Sequence, residues 1–440
     1  GVALMRKLFV SLLGSALLVF PLLVQANPDI EHWKTPKGLK VYYLESHEIP
    51  MLDIRLVFDA GSARDGEQSG LSSLTNGELF SGTSKRDLET VARELDDVGA
   101  EYGAGSLRDM AWLELRSLSR PESLDPALEV FLDVIADPQF PRNDFERSRK
   151  QRLVALKAEE QSPSSVASKA YYRAVYGDHP YASPVSGTLE SVKKIGRKNL
   201  KKFFETYYVA NNAVLVIVGD MDRKQAEKLA LRFDTALKAG EKAPALPEVK
   251  PLEKAVNIRM PFPSEQAHIY IGQPGMSRTD PDYFQLYVGN HVLGGSGFTS
   301  RLMKQVRSDR GLAYSVYSYF MPMRAQGPFL AGLQTRVDQA DMAVDLVYET
   351  LATYRKEGPT DKELMASKRN ITGGFPLRIA SNGDLVEYLA VIGFYDLPLD
   401  YLDTFVAKVE AIDQKAILDA YQRRLDPDRM VTVVVGGEQK

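Results

Sequence analysis

The sequence predicts an α+β protein built from two related mixed α/β halves, and three observations carry that prediction. The stretch "IGRKNLKKFFETYYVANNAVLVIVGD" (195–220) aligns without a gap on "IDQKAILDAYQRRLDPDRMVTVVVGG" (412–437), at an offset of 217. Both read as an amphipathic helix, a polar turn and a buried strand ending in glycine. Upstream, "FPRNDFERSRKQ" and "GPTDKELMASKR" occupy matching places at nearly the same offset, each opening a long helix after a proline. Between the halves, "AGEKAPALPEVKPLE" (239–253) carries three prolines and no periodicity, the signature of a linker.

Within each half, strands come first: "LKVYYLES" and "LDIRLVFDAG" in one, "AHIYIGQPG" in the other. Helices follow at 86–97, 125–136 and 142–160, and a strand after a helix closes the unit. Asp222 with Gln225 three residues on forms a capping box for a last helix at 223–237. The expected product is a mixed sheet in each half with helices packed on one face.

The chain has 440 residues, a formal net charge of −3 and no cysteine. The charge balance argues against nucleic acid, and the absence of thiols excludes disulfides, thiolate metal sites and a cysteine nucleophile. Residues 1–26 read as a signal peptide: Arg6 and Lys7, an apolar run broken by Pro21, then Val24-Gln25-Ala26, with residues 1–4 preceding the start Met5. The expectation is therefore export to the periplasm with no membrane span after cleavage, a first domain at 27–238, the linker, and a second domain at 254–440.

Metal and catalytic signatures are sparse. None of the five histidines lies within five residues of another, so no helix offers a two-histidine zinc pair. His179, in the Pro-flanked "YGDHPYASP", reads as a structural hydrogen-bonding residue, and Glu159 and Glu160 as carboxylates on a solvated helix face. The "GGSG" at 294–297 lacks phosphate-loop spacing, and no G-x-S-x-G elbow is present. In "SRLMKQVRSDRGLAYSVYSYF" (300–320), a helix reaches Arg307, Gly311 breaks it, and an aromatic strand starts near Tyr314. On spacing alone Arg307 is a solvated helix end and Tyr314 a strand aromatic. The other reading pairs them as donors to a peptide carbonyl.

Together, "AGSARDGEQSGLSSLTNGELFSGT", "FPRNDFERSRKQ", "YGDHPYASPVSGT", the VIVGD strand end and "LGGSGFTSRLMKQVRSDRGLAYSVYS" resemble, in order, the M16 (pitrilysin-like) zinc peptidases. The likeness is to the short bacterial members and the mitochondrial processing peptidase subunits, and it runs from about residue 36 to the end. It implies two duplicated half-domains, each a mainly antiparallel sheet, forming a clamp. Active members carry H-x-x-E-H on the helix ending in Phe-x-Gly-Thr. Aligning on Phe80, Gly82 and Thr83 puts Ser73 at the first His, Asn76 at the general-base Glu and Gly77 at the second His, with the third ligand near Ala155. None can do that work. The resemblance also implies that Arg307 and Tyr314 bind the substrate backbone.

It follows as an expectation that this chain holds no metal and is the zinc-free, substrate-binding subunit of a peptidase pair, its partner carrying H-x-x-E-H and zinc. A peptide or unfolded protein would be the substrate. The alternative is a stand-alone peptide-binding or assembly protein without peptidase activity.

Overall fold

The computed structural model describes residues 29–437; the signal-peptide reading of 1–26 lies outside them. The described residues form two sheets. The first contains β1 (Glu31–Lys34), β2 (Lys40–Glu45), β3 (Met51–Phe58), β4 (Glu101–Ser106), β5 (Ala111–Leu118) and β6 (Ala213–Gly219), in the order β1-β2-β6-β3-β5-β4. The second contains β7 (Val256–Met260), β8 (Gln266–Pro274), β9 (Ala313–Phe320), β10 (Pro328–Arg336) and β11 (Val431–Val435), in the order β7-β11-β8-β10-β9.

The repeat seen in the sequence is repeated in the topology. β6 pairs parallel with β2 and antiparallel with β3; β11 pairs parallel with β7 and antiparallel with β8. All other pairings are antiparallel. With β1 set aside, each strand of one sheet has a counterpart in the other, and β4 and β9 are equivalent free edges. β6 and β11 are buried along their whole length, as their unbroken Val/Ile/Leu runs require of strands covered on both faces.

Eight helices lie in the first half: α1 (Leu71–Gly77), α2 (Leu88–Asp97), α3 (Pro121–Ala136), α4 (Arg142–Glu159), α5 (Pro163–Tyr176), α6 (Leu189–Lys194), α7 (Arg197–Tyr207) and α8 (Arg223–Ala236). Six lie in the second: α9 (Tyr283–Asn290), α10 (Ala340–Glu357), α11 (Asp361–Gly374), α12 (Asn382–Phe394), α13 (Tyr401–Glu410) and α14 (Gln414–Arg424). The expected Asp222–Gln225 capping box opens α8.

Each half's own helices cover one sheet face; the core this gives in the first half is its own, whereas that of the second half continues onto Tyr42, Val214, Val216 and Val218 of the first sheet. The opposite faces are covered by exchange. α5 leaves the first half and packs on β8 and β11, while its counterpart α12 packs on β2, β3 and β6. Close approach is built in by glycine. A Cβ on Gly272 of β8 would stand 2.4 Å from the Tyr171 hydroxyl, and one on Gly393 of α12 would stand 2.7 Å from Tyr42 and Val214. Tyr171 of α5 uses the room to donate to Phe329 O at 2.5 Å.

A second tie between the halves is Asp109, in the turn between β4 and β5, only 4% exposed. It accepts from the hydroxyls of Tyr181 and Tyr395 and, at 2.7 Å, from the backbone N–H of Arg324. Burial, reinforced by the Asp109 charge, pushes both phenols above their ordinary range and keeps them donors. Residues 239–253 have no regular structure but are pinned: His179 Nε2 lies 3.0 Å from Pro247 O, and Arg64 donates to Pro244 O at 2.7 Å. His179 thus has a structural role, its Nδ1 also accepting from Tyr181 N.

Candidate functional site

The helix of interest is α1, seven residues long. Its first turn is held from outside, since Asp65 accepts from the backbone N–H groups of Gly70 and Ser72 at 2.8 and 2.7 Å. Burial pushes that carboxyl up to about 7, against the pull of the two amides. The buried Ser72 hydroxyl donates to Ala60 O at 2.5 Å, fastening α1 to the end of β3.

Ser73, Asn76 and Gly77 all line one cavity of about 590 Å³, whose other walls are β4, α4, α5 and the loop at 182–186. The residues do not fit a metal. The Asn76 side chain is 1% exposed and saturated: its amide nitrogen donates to Gly105 O (2.7 Å) and Trp112 O (3.1 Å), and its oxygen accepts from Tyr208 Oη (2.8 Å). Ser73 Oγ accepts from Arg152 Nη1 at 2.6 Å. A fixed guanidinium therefore stands where a dication would need donors, and like charge repels. Gly77 contributes no ligand atom. Glu78, the next carboxylate, accepts from Ser81 Oγ at 2.7 Å. No group of three potential metal-ligating side chains occurs among the described residues.

Sequence reasoning did not single out the cations of this cavity. Arg152 lies on the α4 stripe that also carries Ala155 and Glu159; Ala155 itself is exposed and brings no polar atom. Arg152 also donates to Ser186 O at 3.1 Å. Arg108 lies 3.6 Å over the Tyr172 ring and donates to Tyr181 O at 2.9 Å. Burial pulls both guanidiniums below the ordinary arginine range. Glu159 is not on a freely solvated face: it lines the cavity, paired with Lys169 at 2.6 Å. The signal available was charge on the α4 stripe facing α1, but helical periodicity does not say what that stripe faces.

Arg307 and Tyr314 form a separate feature. Arg307 lies in a π-helical turn, Met303–Ser308, and Tyr314 on edge strand β9. The guanidinium carbon is 4.9 Å from the centroids of both Tyr314 and Phe298, a cation held between two rings. Both aromatics are exposed, Tyr314 at 83% and Phe298 at 74%. Among the described residues no side-chain hydrogen bond or ion pair holds Arg307, and neither Arg307 nor Tyr314 lines the cavity beside Ser73.

This duplicated fold, two matching mixed sheets each carrying its own helices, defines a metallopeptidase-like scaffold. Comparison with known proteins agrees. Residues 40–189 match the model of the insulinase family, peptidase family M16, and residues 194–371 match that of the peptidase M16 inactive domain. The chain belongs to the M16 peptidase family. A crystal structure titled peptidase M16 inactive domain, from Pseudomonas fluorescens, is 39% identical with a TM-score of 0.90, over 93% of this chain and 99% of that one. A Helicobacter pylori protein named non-peptidase homolog YmxG is 28% identical, over 99% of this chain and 100% of its own. A Bacillus subtilis protein named uncharacterized zinc protease YmxG is 27% identical, over 80% of this chain and 85% of its own.

Proposed function

We propose that this chain is the non-catalytic, substrate-binding subunit of a heterodimeric periplasmic peptidase, with zinc and H-x-x-E-H supplied by an M16-family partner. The observation that carries this reading is a contrast between the two halves. In the first, Asn76 is absorbed into the packing and Arg152 occupies the ligand side of α1. In the second, Arg307 is half-buried between the exposed rings of Phe298 and Tyr314, with no ion pair among the described residues. A solvent-facing guanidinium–phenol pair costs side-chain entropy and contributes little to stability. Its chemistry suits a peptide carbonyl, which both groups can bond as charge develops on the oxygen. The free edges of β4 and β9 offer an extended peptide unpaired main-chain groups. The helices of the described residues include none long and apolar enough to cross a membrane.

The test is affinity purification of the tagged protein from native periplasm, with co-purifying chains identified by mass spectrometry. Recovery of a similar-sized chain containing H-x-x-E-H supports the pair. Arg307→Ala in the reconstituted complex should then lower kcat/KM by about 10²-fold, as loss of one transition-state donor does, with subunit association unchanged. A homo-oligomer with no such chain favours the stand-alone binding or assembly protein.

A further inference from the structure

The cavity beside Ser73 has an unbalanced charge. Arg108, Arg152 and Lys169 line it against one carboxylate, Glu159, which Lys169 already engages at 2.6 Å. Among the described residues neither arginine makes an ion pair. Arg152 commits only Nη1, to Ser73 Oγ and Ser186 O, and Arg108 only Nε, to Tyr181 O. Among the described residues the remaining N–H groups of both forks meet no protein acceptor. Removing guanidinium charge from water without a counter-charge is costly, and the depressed basicity of both groups expresses that cost. Five serines also line the walls and can donate from hydroxyls.

We propose that this cavity is a carboxylate-binding site, in which the free N–H groups of Arg152 and Arg108 and the surrounding serine hydroxyls hold the carboxylate of a short peptide. The guanidinium fork matches a carboxylate bidentately, which a point charge does not. At about 590 Å³ the cavity admits a few residues and no folded domain. One wall is the Ala104–Ser106 segment of edge strand β4, whose main chain can pair with an extended ligand. The carboxylate chemistry stands on the cavity alone; the choice of a peptide as its source rests on the function proposed above. That carboxylate can be a chain terminus or an acidic side chain.

Isothermal titration calorimetry on the isolated chain separates these cases with three probes: Ala-Ala-Ala as free acid, Ala-Ala-Ala amide, and acetyl-Ala-Glu-Ala amide. The expected result is that the free acid binds about tenfold or more tightly than its amide, the worth of one charge-assisted contact. Tighter binding of the glutamyl amide than of the free acid assigns the site to side chains, equal binding shows that it takes either carboxylate, and failure of the glutamyl amide to bind assigns it to termini. Arg152→Gln should erase the preference for acid over amide. Lys169→Gln, which releases Glu159 into the cavity, should weaken the free acid while leaving the amide unchanged. Circular dichroism checks that both variants are folded. Equal affinity for free acid and amide with no tighter binding of the glutamyl amide, no binding of any probe, or a preference for a carboxylate surviving Arg152→Gln in a folded chain overturns the proposal. No partner chain enters the experiment, so its result and that of the periplasmic purification are independent.

Discussion

Replacing Asp109 by alanine should uncouple the two halves. The carboxylate receives three donors: the hydroxyls of Tyr181 and Tyr395 and the N–H of Arg324, the last two from the second half of the chain. Each hydrogen bond to a buried charge contributes about 1.5–3 kcal/mol net. Relief from burying the carboxylate offsets part of the sum, so Asp109→Ala should cost about 3–5 kcal/mol, the range for breaking one side of a buried charged cluster. With a urea m-value of about 3 kcal/mol/M, the midpoint should fall by about 1–1.7 M. The assay has a built-in spatial label. The chain has two tryptophans, Trp33 on β1 and Trp112 on β5, both in the first sheet. Their fluorescence reports that half, while far-UV circular dichroism reports both. In the native protein the two transitions should coincide; in Asp109→Ala they should separate. Asp109→Asn keeps one acceptor and should lose only about 1–2 kcal/mol. A midpoint shift below about 0.3 M with coincident transitions would refute the assignment of Asp109 as the tie.

Asn76→Asp sets a carboxylate against the carbonyls of Gly105 and Trp112, so it should destabilise by about 2–4 kcal/mol at pH 8. The new carboxyl would titrate above its unfolded value, so stability should recover as pH falls toward 4, measured by urea midpoints across pH. His47 bridges Asp220 and Glu45 at 2.6 Å, and these hydrogen bonds raise its pKa above 6.5. Its stabilising effect is therefore fully present below that value and lost as pH rises through the raised one. His47→Gln should lower the urea midpoint at pH 5.5 and leave it unchanged at pH 9. Gly393→Val would drive a side chain into Tyr42 and Val214, and should cost about 1–3 kcal/mol, read as a lowered thermal midpoint.

Much of the fold was readable because duplication repeats every signal. The strand pair at 213–219 and 431–435 stood out through its apolar runs, and the long helix at 142–159 through its proline entry. β4 was missed because "EYGAGS" has neither alternation nor β-branched residues. Its edge position and the Trp112 ring packed beside Gly105 hold it in the sheet instead. The resemblance points to Ser73, Asn76 and Gly77, but nothing in the sequence shows what packs against them. Arg152 reaches Ser73 across 79 residues of chain, and Arg108 comes from a turn that nothing local marks. The exchange of α5 and α12 was equally hidden. Three tyrosines on α5, Tyr171, Tyr172 and Tyr176, announce a buried face, yet no periodicity says which sheet receives it.

That exchange bears on how the chain is made. The first sheet is complete once Gly219 has left the ribosome, but the helix that covers its outer face ends only at Phe394. At about 5–20 residues per second, the intervening synthesis leaves that apolar face bare for some 10–35 s. Val214, Val216 and Val218, buried against α12 in the finished protein, are then a sticky template in a crowded compartment. Truncation before residue 394 should therefore yield aggregate and not a smaller domain.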